Sequence, residues 1–315
     1  MRTIFKNCTL LDGTRDMAAR ENIDVAIEND KIVEIGKIEQ KKEDKIIDLT
    51  GKYLMPGLIN LHVHLPAGGK PQKKPLKADF LSKLALSSAF MRKFTLNMCH
   101  GYAMQGLMSG VTTIRTVGGL DDIDSKLRDK INAGQLDGPR ILASNFAIGV
   151  TNGHMVGSVA RAADTPEEAT KMVDELIAKK SDLIKLMITG GVMDAKVKGE
   201  PGVLMMKGDM IKACCDRAHE HGLKVAAHVQ SPEGVRTAVG NGVDSIEHGS
   251  TLTQAEIDTF KAHDAVLICT LSPALPMAKF ERETLGISEV VQYNSNVARA
   301  MTSRLQCTTC STPVH

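Results

Sequence analysis

Leu58-Ile59-Asn60-Leu61-His62-Val63-His64 is an apolar run that ends in two histidines one residue apart. Leu54-Met55-Pro56-Gly57 stands before it and marks a break in the chain's pattern. Downstream, strand-like runs recur at Val111–Val117, Arg140–Ile148, Leu183–Ile188, Val225–Val229, Ser245–Glu247 and Ala265–Leu271. Amphipathic helices separate several of them. Thr165-Pro166-Glu167 opens one with a capping residue, a proline at the first turn and an acid favoured by the helix dipole. Its apolar stripe is Ala169, Met172, Val173, Leu176 and Ile177. Asp209 to His221 forms a second helix, stopped by Gly222, and Thr253-x-x-Glu256 is a capping box opening a third. Near-continuous apolar strands separated by helices mean parallel βαβ units. The α/β pattern after residue 56 therefore predicts a TIM-type (β/α)8 barrel, with a doubly wound open sheet as its rival. Only seven strands can be found. A helix over Ser288–Arg304 should feed an eighth, but the residues from Leu305 to His315 are too polar.

Upstream, residues 1–55 read as short strands. Asp24–Ile27 and Lys31–Ile35 flank Glu28-Asn29-Asp30, a hairpin signal, and Ile46–Leu49 follows a charged turn. This is a β unit too small to stand alone. The expected organisation is a small β domain over 1–55 and an incomplete barrel over 56–315. The 315 residues are 43% hydrophobic and carry 39 Lys and Arg against 37 Asp and Glu. So balanced a charge argues against a nucleic-acid or membrane-surface partner. Aromatics are 3% with no Trp, which leaves few stacking platforms for bases. No apolar run approaches a membrane span, and Met1–Leu11 does not read as a signal peptide. Seven scattered cysteines suit a reducing compartment, so a cytoplasmic location is expected.

Side chains two apart in a strand share a face, so His62 and His64 point the same way. In a barrel they would converge at the C-terminal mouth as half of a divalent-metal site. The plainer alternative is a pair of solvated or core histidines. Lys185 lies in Leu183-Ile184-Lys185-Leu186-Met187-Ile188, otherwise all hydrophobic. A lone buried lysine is costly unless it is paired or loses its charge. It either snorkels from a strand end or stays neutral and captures carbon dioxide as a carbamate able to bridge two metals. His228 and His248 each end a strand-like run. Either alone reads as structural, whereas four histidines and a lysine at strand ends read as a site.

Taken in order, these stretches resemble the amidohydrolase superfamily. The similarity rests on Pro56-Gly57-Leu58-Ile59-Asn60-Leu61-His62-Val63-His64, Gly110–Arg115, Ile184–Val192, Lys224–His228 and Ser245–Gly249. It is similar to the imidazolonepropionase-related branch, which includes Xaa-Pro dipeptidase-like enzymes. The resemblance implies a metal-dependent hydrolase of amide, cyclic amide or peptide-like C–N bonds, acting on a small molecule. It implies that His62 and His64 hold one divalent metal, expected to be zinc, that carbamylated Lys185 bridges two ions, and that His228 and His248 hold the second. It also implies that residues 1–55 are the N-terminal half of a composite β-sandwich.

Two departures stand beside it. The family's aspartate after strand eight, usually within Gly-Thr-Asp and serving as ligand and proton shuttle, is not found after residue 271. A truncated product is the favoured expectation over a divergent member, with exposed strand edges, weak activity and a tendency to associate. A homo-oligomer stays open. The rival functions are an inactive barrel serving as a structural subunit and a mononuclear deaminase. The deaminase needs His-x-x-Glu, where this chain has His228-Val229-Gln230-Ser231. For substrate binding the candidates are His154, in Thr151-Asn152-Gly153-His154, and Arg115, for which an internal salt bridge is an equal reading. His219 and His221 read as partners of a helix end, and His100 carries no pattern. Cys307-x-x-Cys310 reads as coincidence and Gly68–Pro75 as a surface or mouth loop.

Overall fold

A computed structural model of the chain describes residues 1–68, 78–250, 252–270 and 279–297. Two compact units emerge, Met1–Leu58 and Ile59–His315.

The first unit is one five-stranded mixed sheet. Its strands are β1 (Arg2–Leu10), β2 (Arg20–Glu28), β3 (Lys31–Gly36), β4 (Lys45–Asp48) and β5 (Tyr53–Leu54), in the order β3-β2-β1-β4 with β5 also on β1. The β2–β3 hairpin closes through Asn29 and Asp30, both at positive φ, the conformation a two-residue turn requires. Two small clusters, Ile4 with Ala26 and Ile38, and Cys8 with Leu10 and Val25, hold it together.

In the second unit, β6 (Leu58–Val63), β7 (Val111–Thr116) and β8 (Arg140–Leu142) form one sheet. The others are β9 (Ala147–Gly149), β10 (Ala160–Ala162), β11 (Leu183–Met187), β12 (Lys224–Val229), β13 (Ser245–His248) and β14 (Val266–Ile268). They form a parallel sheet in the order β10-β9-β11-β12-β13-β14. The expected third strand, Arg140–Ile148, is thus two strands. It breaks at Ser144 and Asn145, where Asn145 takes φ +59°, and its halves pair with β7 and β11 respectively. The seventh strand is shorter than expected, and residue 271 lies outside the described residues. Among the described residues β6 pairs only with β7, and β14 only with β13.

Helices α1 (Ala78–Leu86), α2 (Ala89–Met108), α3 (Ile123–Asn132), α4 (Pro166–Ala178), α5 (Gly208–Glu220), α6 (Pro232–Gly240) and α7 (Gln254–Ala262) alternate with the strands. The chain is helical again at 289–297, and the remainder of the expected Ser288–Arg304 helix lies outside the described residues. The Thr165 hydroxyl caps α4 by accepting from Glu168 N–H, and Thr253 with Glu256 closes the capping box of α7. The main core lies between sheet and helices. Ile184 and Leu186 of β11, Val225, Ala227 and Val229 of β12 and Ile246 of β13 meet Val173, Leu176, Ile211 and Val235. Strand alternation then sends Lys185, His228 and Glu247 to the opposite, inner face, beside a smaller cluster of Val117, Leu183 and Ala226.

Asp124, in the first turn of α3, is fully buried, and burial pushes its pKa up to about 6 against the opposing effect of the Thr116 hydroxyl. A carboxyl raised this way favours the neutral form, so its contribution to stability falls as pH climbs from the ordinary carboxylate range through 6. Asp124→Asn should remove that slope. Thermal melts should show the variant gaining on the parent between pH 4 and 7, by up to roughly 3 kcal/mol. Parallel melting curves across that range would show that Asp124 is not the cause.

Candidate metal centre

Five imidazoles form one continuous series of ring contacts. His64 lies 5.2 Å from His62, His62 lies 4.7 Å from His248, and His248 lies 4.6 Å from His228, centroid to centroid. His154 stacks on His228 at 4.1 Å. Strand alternation alone would send His248 to the helix side with Ile246. Instead His248 takes φ +71° and Gly249 φ +79°, and this left-handed turn returns the ring to the inner face.

Each ring is held through one nitrogen. A carboxylate or carbonyl oxygen can only accept, so its imidazole partner must donate and the other nitrogen keeps its lone pair. His62 donates through Nδ1 to Glu247 Oε2 at 2.7 Å, and His64 through Nδ1 to Gly118 O at 2.9 Å. Both therefore present Nε2. His228 meets Gly190 O through Nε2 at 3.2 Å and so presents Nδ1. His248 Nδ1 lies 2.6 Å from Thr270 Oγ1. Gly118 sits at φ +127°, and a Cβ there would stand 3.3 Å from the His64 ring, so a side chain would crowd the imidazole it holds. Burial drives all four rings below the ordinary histidine range, His64 to about 4, with the Lys185 amine adding to the effect. Neutral imidazoles are the form that binds metals.

Lys185 is fully buried on the inner face of β11, and its Nζ has no hydrogen-bond partner among the described residues. Burial pulls its pKa down to about 7, with Glu247 opposing and Arg115 adding. An orphaned, half-neutral amine beside four neutral imidazoles is a donor set suited to a divalent ion once the amine carries oxygen donors. Among the described residues no three His, Cys, Asp or Glu side chains by themselves form a metal-holding group.

A model of the amidohydrolase family matches residues 53–307. The chain belongs to that family. This amidohydrolase is similar to a solved Xaa-Pro dipeptidase with bound methionine in its active site, at 26% identity and a TM-score of 0.82, covering 99% of this chain and 77% of that one. A structure from Bifidobacterium longum assigned as a prolidase is 33% identical with a TM-score of 0.78, covering 96% and 69%. Ochratoxinase from Aspergillus niger is 26% identical over 243 residues, which is 70% of this chain and 48% of that protein. The amidohydrolase thus spans about half the length of the curated relatives it matches. Its solved relatives carry a TIM-barrel-like α/β fold, in keeping with the parallel sheets described above.

Arg115 takes the internal role that the sequence allowed, with Nε on Leu61 O at 2.8 Å, Nη1 on Ser245 Oγ at 3.1 Å and Nη2 on Glu247 Oε1 at 2.5 Å. His154 pairs through Nδ1 with Asp194 while stacking on His228, which places it at the cluster. His219 is elsewhere, bonded to Asp244, and His100 donates through Nε2 to Asp137 O at 2.8 Å. The loop 69–77 and Cys307-x-x-Cys310 lie outside the described residues. Glu247, wholly buried against His62 and Arg115, was not singled out from the sequence. Its signal was an acid one step before a candidate ligand, in a strand with Ser245 on the same face. No helix is long and apolar enough to cross a membrane among the described residues.

Proposed function

We propose that this amidohydrolase hydrolyses the C–N bond of small peptide-like amides, N-acyl amino acids and dipeptides, Xaa-Pro dipeptides included. The observation that carries the proposal is the buried Lys185 amine, without a hydrogen-bond partner among the described residues, beside four neutral imidazoles. In its neutral form the amine adds to the carbon of carbon dioxide, forms an N–C bond and releases one proton, which leaves a carbamate anion. His62, His64, His228, His248 and that carbamate would hold one or two divalent ions, with zinc matching the nitrogen and oxygen donors. Bound there, the metal supplies a polarised scissile carbonyl and a hydroxide available near neutral pH. The chain's own residues do the rest. Glu247, Gly118 O and Gly190 O hold three rings in their tautomers, and His154, steadied by Asp194, offers an imidazole to the substrate beside His228.

The test is a screen of N-acyl amino acids and dipeptides with purified protein supplied with zinc and bicarbonate. Turnover that requires both additions is the expected result. Metal-loaded protein that hydrolyses none of them would favour the structural-subunit reading, and ammonia release from an aminated heterocycle would favour the deaminase.

A further inference from the structure

We infer that Glu247 is a positioning residue that fixes the tautomer and orientation of His62 and ties it mechanically to His248; this rests on the reading of His62 as a metal ligand. Glu247 is fully buried, and its two oxygens are divided between two tasks. Oε2 accepts from His62 Nδ1 at 2.7 Å, and Oε1 accepts from Arg115 Nη2 at 2.5 Å and from Ser245 Oγ at 3.2 Å. A purely structural ion pair would need only the Arg115 contact. Spending the second oxygen on the ring sets which nitrogen of His62 carries the proton.

Arg115 extends the clamp, because its Nε donates to the carbonyl of Leu61, the residue just before His62. The ring is therefore held by Glu247 from β13 while the adjoining backbone is held by Arg115 from β7. His248 follows Glu247 directly in the chain, and its ring lies 4.7 Å from that of His62. One strand thus supplies a histidine to the cluster and sets the orientation of another, joining the two histidine groups that the sequence reading assigned to separate ions. Outer partners of this type typically change metal affinity by about 10–100-fold when removed.

The conclusive experiment measures histidine tautomers in the full chain, labelled with ¹⁵N-histidine and free of metal, by long-range ¹H–¹⁵N correlation, with His62→Asn assigning the signal. The wild-type protein should show His62 protonated at Nδ1 alone. In Glu247→Gln, whose amide can donate or accept, the expected spectrum shows the two tautomers mixed. Zinc affinity, read by competition with a chelating dye, should fall by about 10–100-fold. A wild-type His62 protonated at Nε2 overturns the inference without any variant, which covers the case in which Glu247→Gln does not fold. An unchanged tautomer together with unchanged zinc affinity in Glu247→Gln overturns it as well. Wild-type protein that binds no zinc would instead defeat the metal reading, while the tautomer spectra still decide the role of Glu247.

Discussion

Lys185→Ala is expected to lower amide hydrolysis by about a thousandfold, because the loss of metal-centred stabilisation worth roughly 4 kcal/mol corresponds to that factor. The variant should retain one metal ion or none. Alanine removes the side chain that the proposed carbamate would form on, while the four imidazoles stay in place. Short carboxylates such as acetate or propionate should restore part of the activity by entering the space that the proposed carbamate would fill. Folding provides an independent readout. The wild-type amine is buried without a partner among the described residues, and such a group is costly. The metal-free variant should therefore melt no lower than metal-free wild type, apart from the cavity left by the side chain. Full activity with full metal content in Lys185→Ala would remove the carbamate from the account.

Acidification of the metal-free protein should unfold it between about pH 6.5 and 5, well before ordinary carboxylate titration. His62, His64, His228 and His248 are all held below the ordinary histidine range by burial, His64 at about 4. A depressed histidine pKa means that the stabilising neutral form is complete above the unfolded value, near 6.5. That stability is lost as pH falls toward the folded value. At pH 5 each such ring opposes folding by up to roughly 2 kcal/mol. Four of them together approach the whole stability of a typical domain, about 5–15 kcal/mol. Asp124 works in the opposite direction but is a single group. Bound zinc competes with protons for the same nitrogens, so it should move the acid transition to lower pH. A melting temperature that stays flat from pH 7 to 5 in chelator-treated protein would show that the rings are solvated rather than buried.

The strands of the larger unit were legible because they are buried runs with little polar interruption, as in Leu183–Met187 and Lys224–Val229. The helices announced themselves through side chains that satisfy their own first turns, Thr165 and Thr253 being the clearest. What escaped the sequence is local backbone geometry imposed by tertiary neighbours. The apolar run around Ile141 and Phe146 reads as one strand, yet Asn145 turns it so that each half serves a different sheet. Ala160-Arg161-Ala162 carries no pattern at all and becomes a strand only by pairing with β9. In the candidate site, His62, His64, Lys185 and His228 lie where strand alternation puts them. His248 reaches the same face only through a left-handed residue that no periodicity reports. Glu247 escaped for a related reason. An acid inside a strand looks like a solvated edge until the Arg115 cation that neutralises it and the His62 ring that donates to it are seen in place. Arg115 was readable in type but not in role, since a strand-end arginine suits a substrate carboxylate and an internal partner equally well.

The most direct test of the account is the number of divalent metal ions per chain, counted by plasma mass spectrometry. The count would be made after purification of the wild-type protein in zinc and bicarbonate and removal of loosely held ions. Lys185→Ala and His62→Asn would be treated identically. One or two ions per wild-type chain, reduced in both variants, is the result expected of a centre built from these side chains. A wild-type chain that retains none, or variants that retain as many as the wild type, would contradict it.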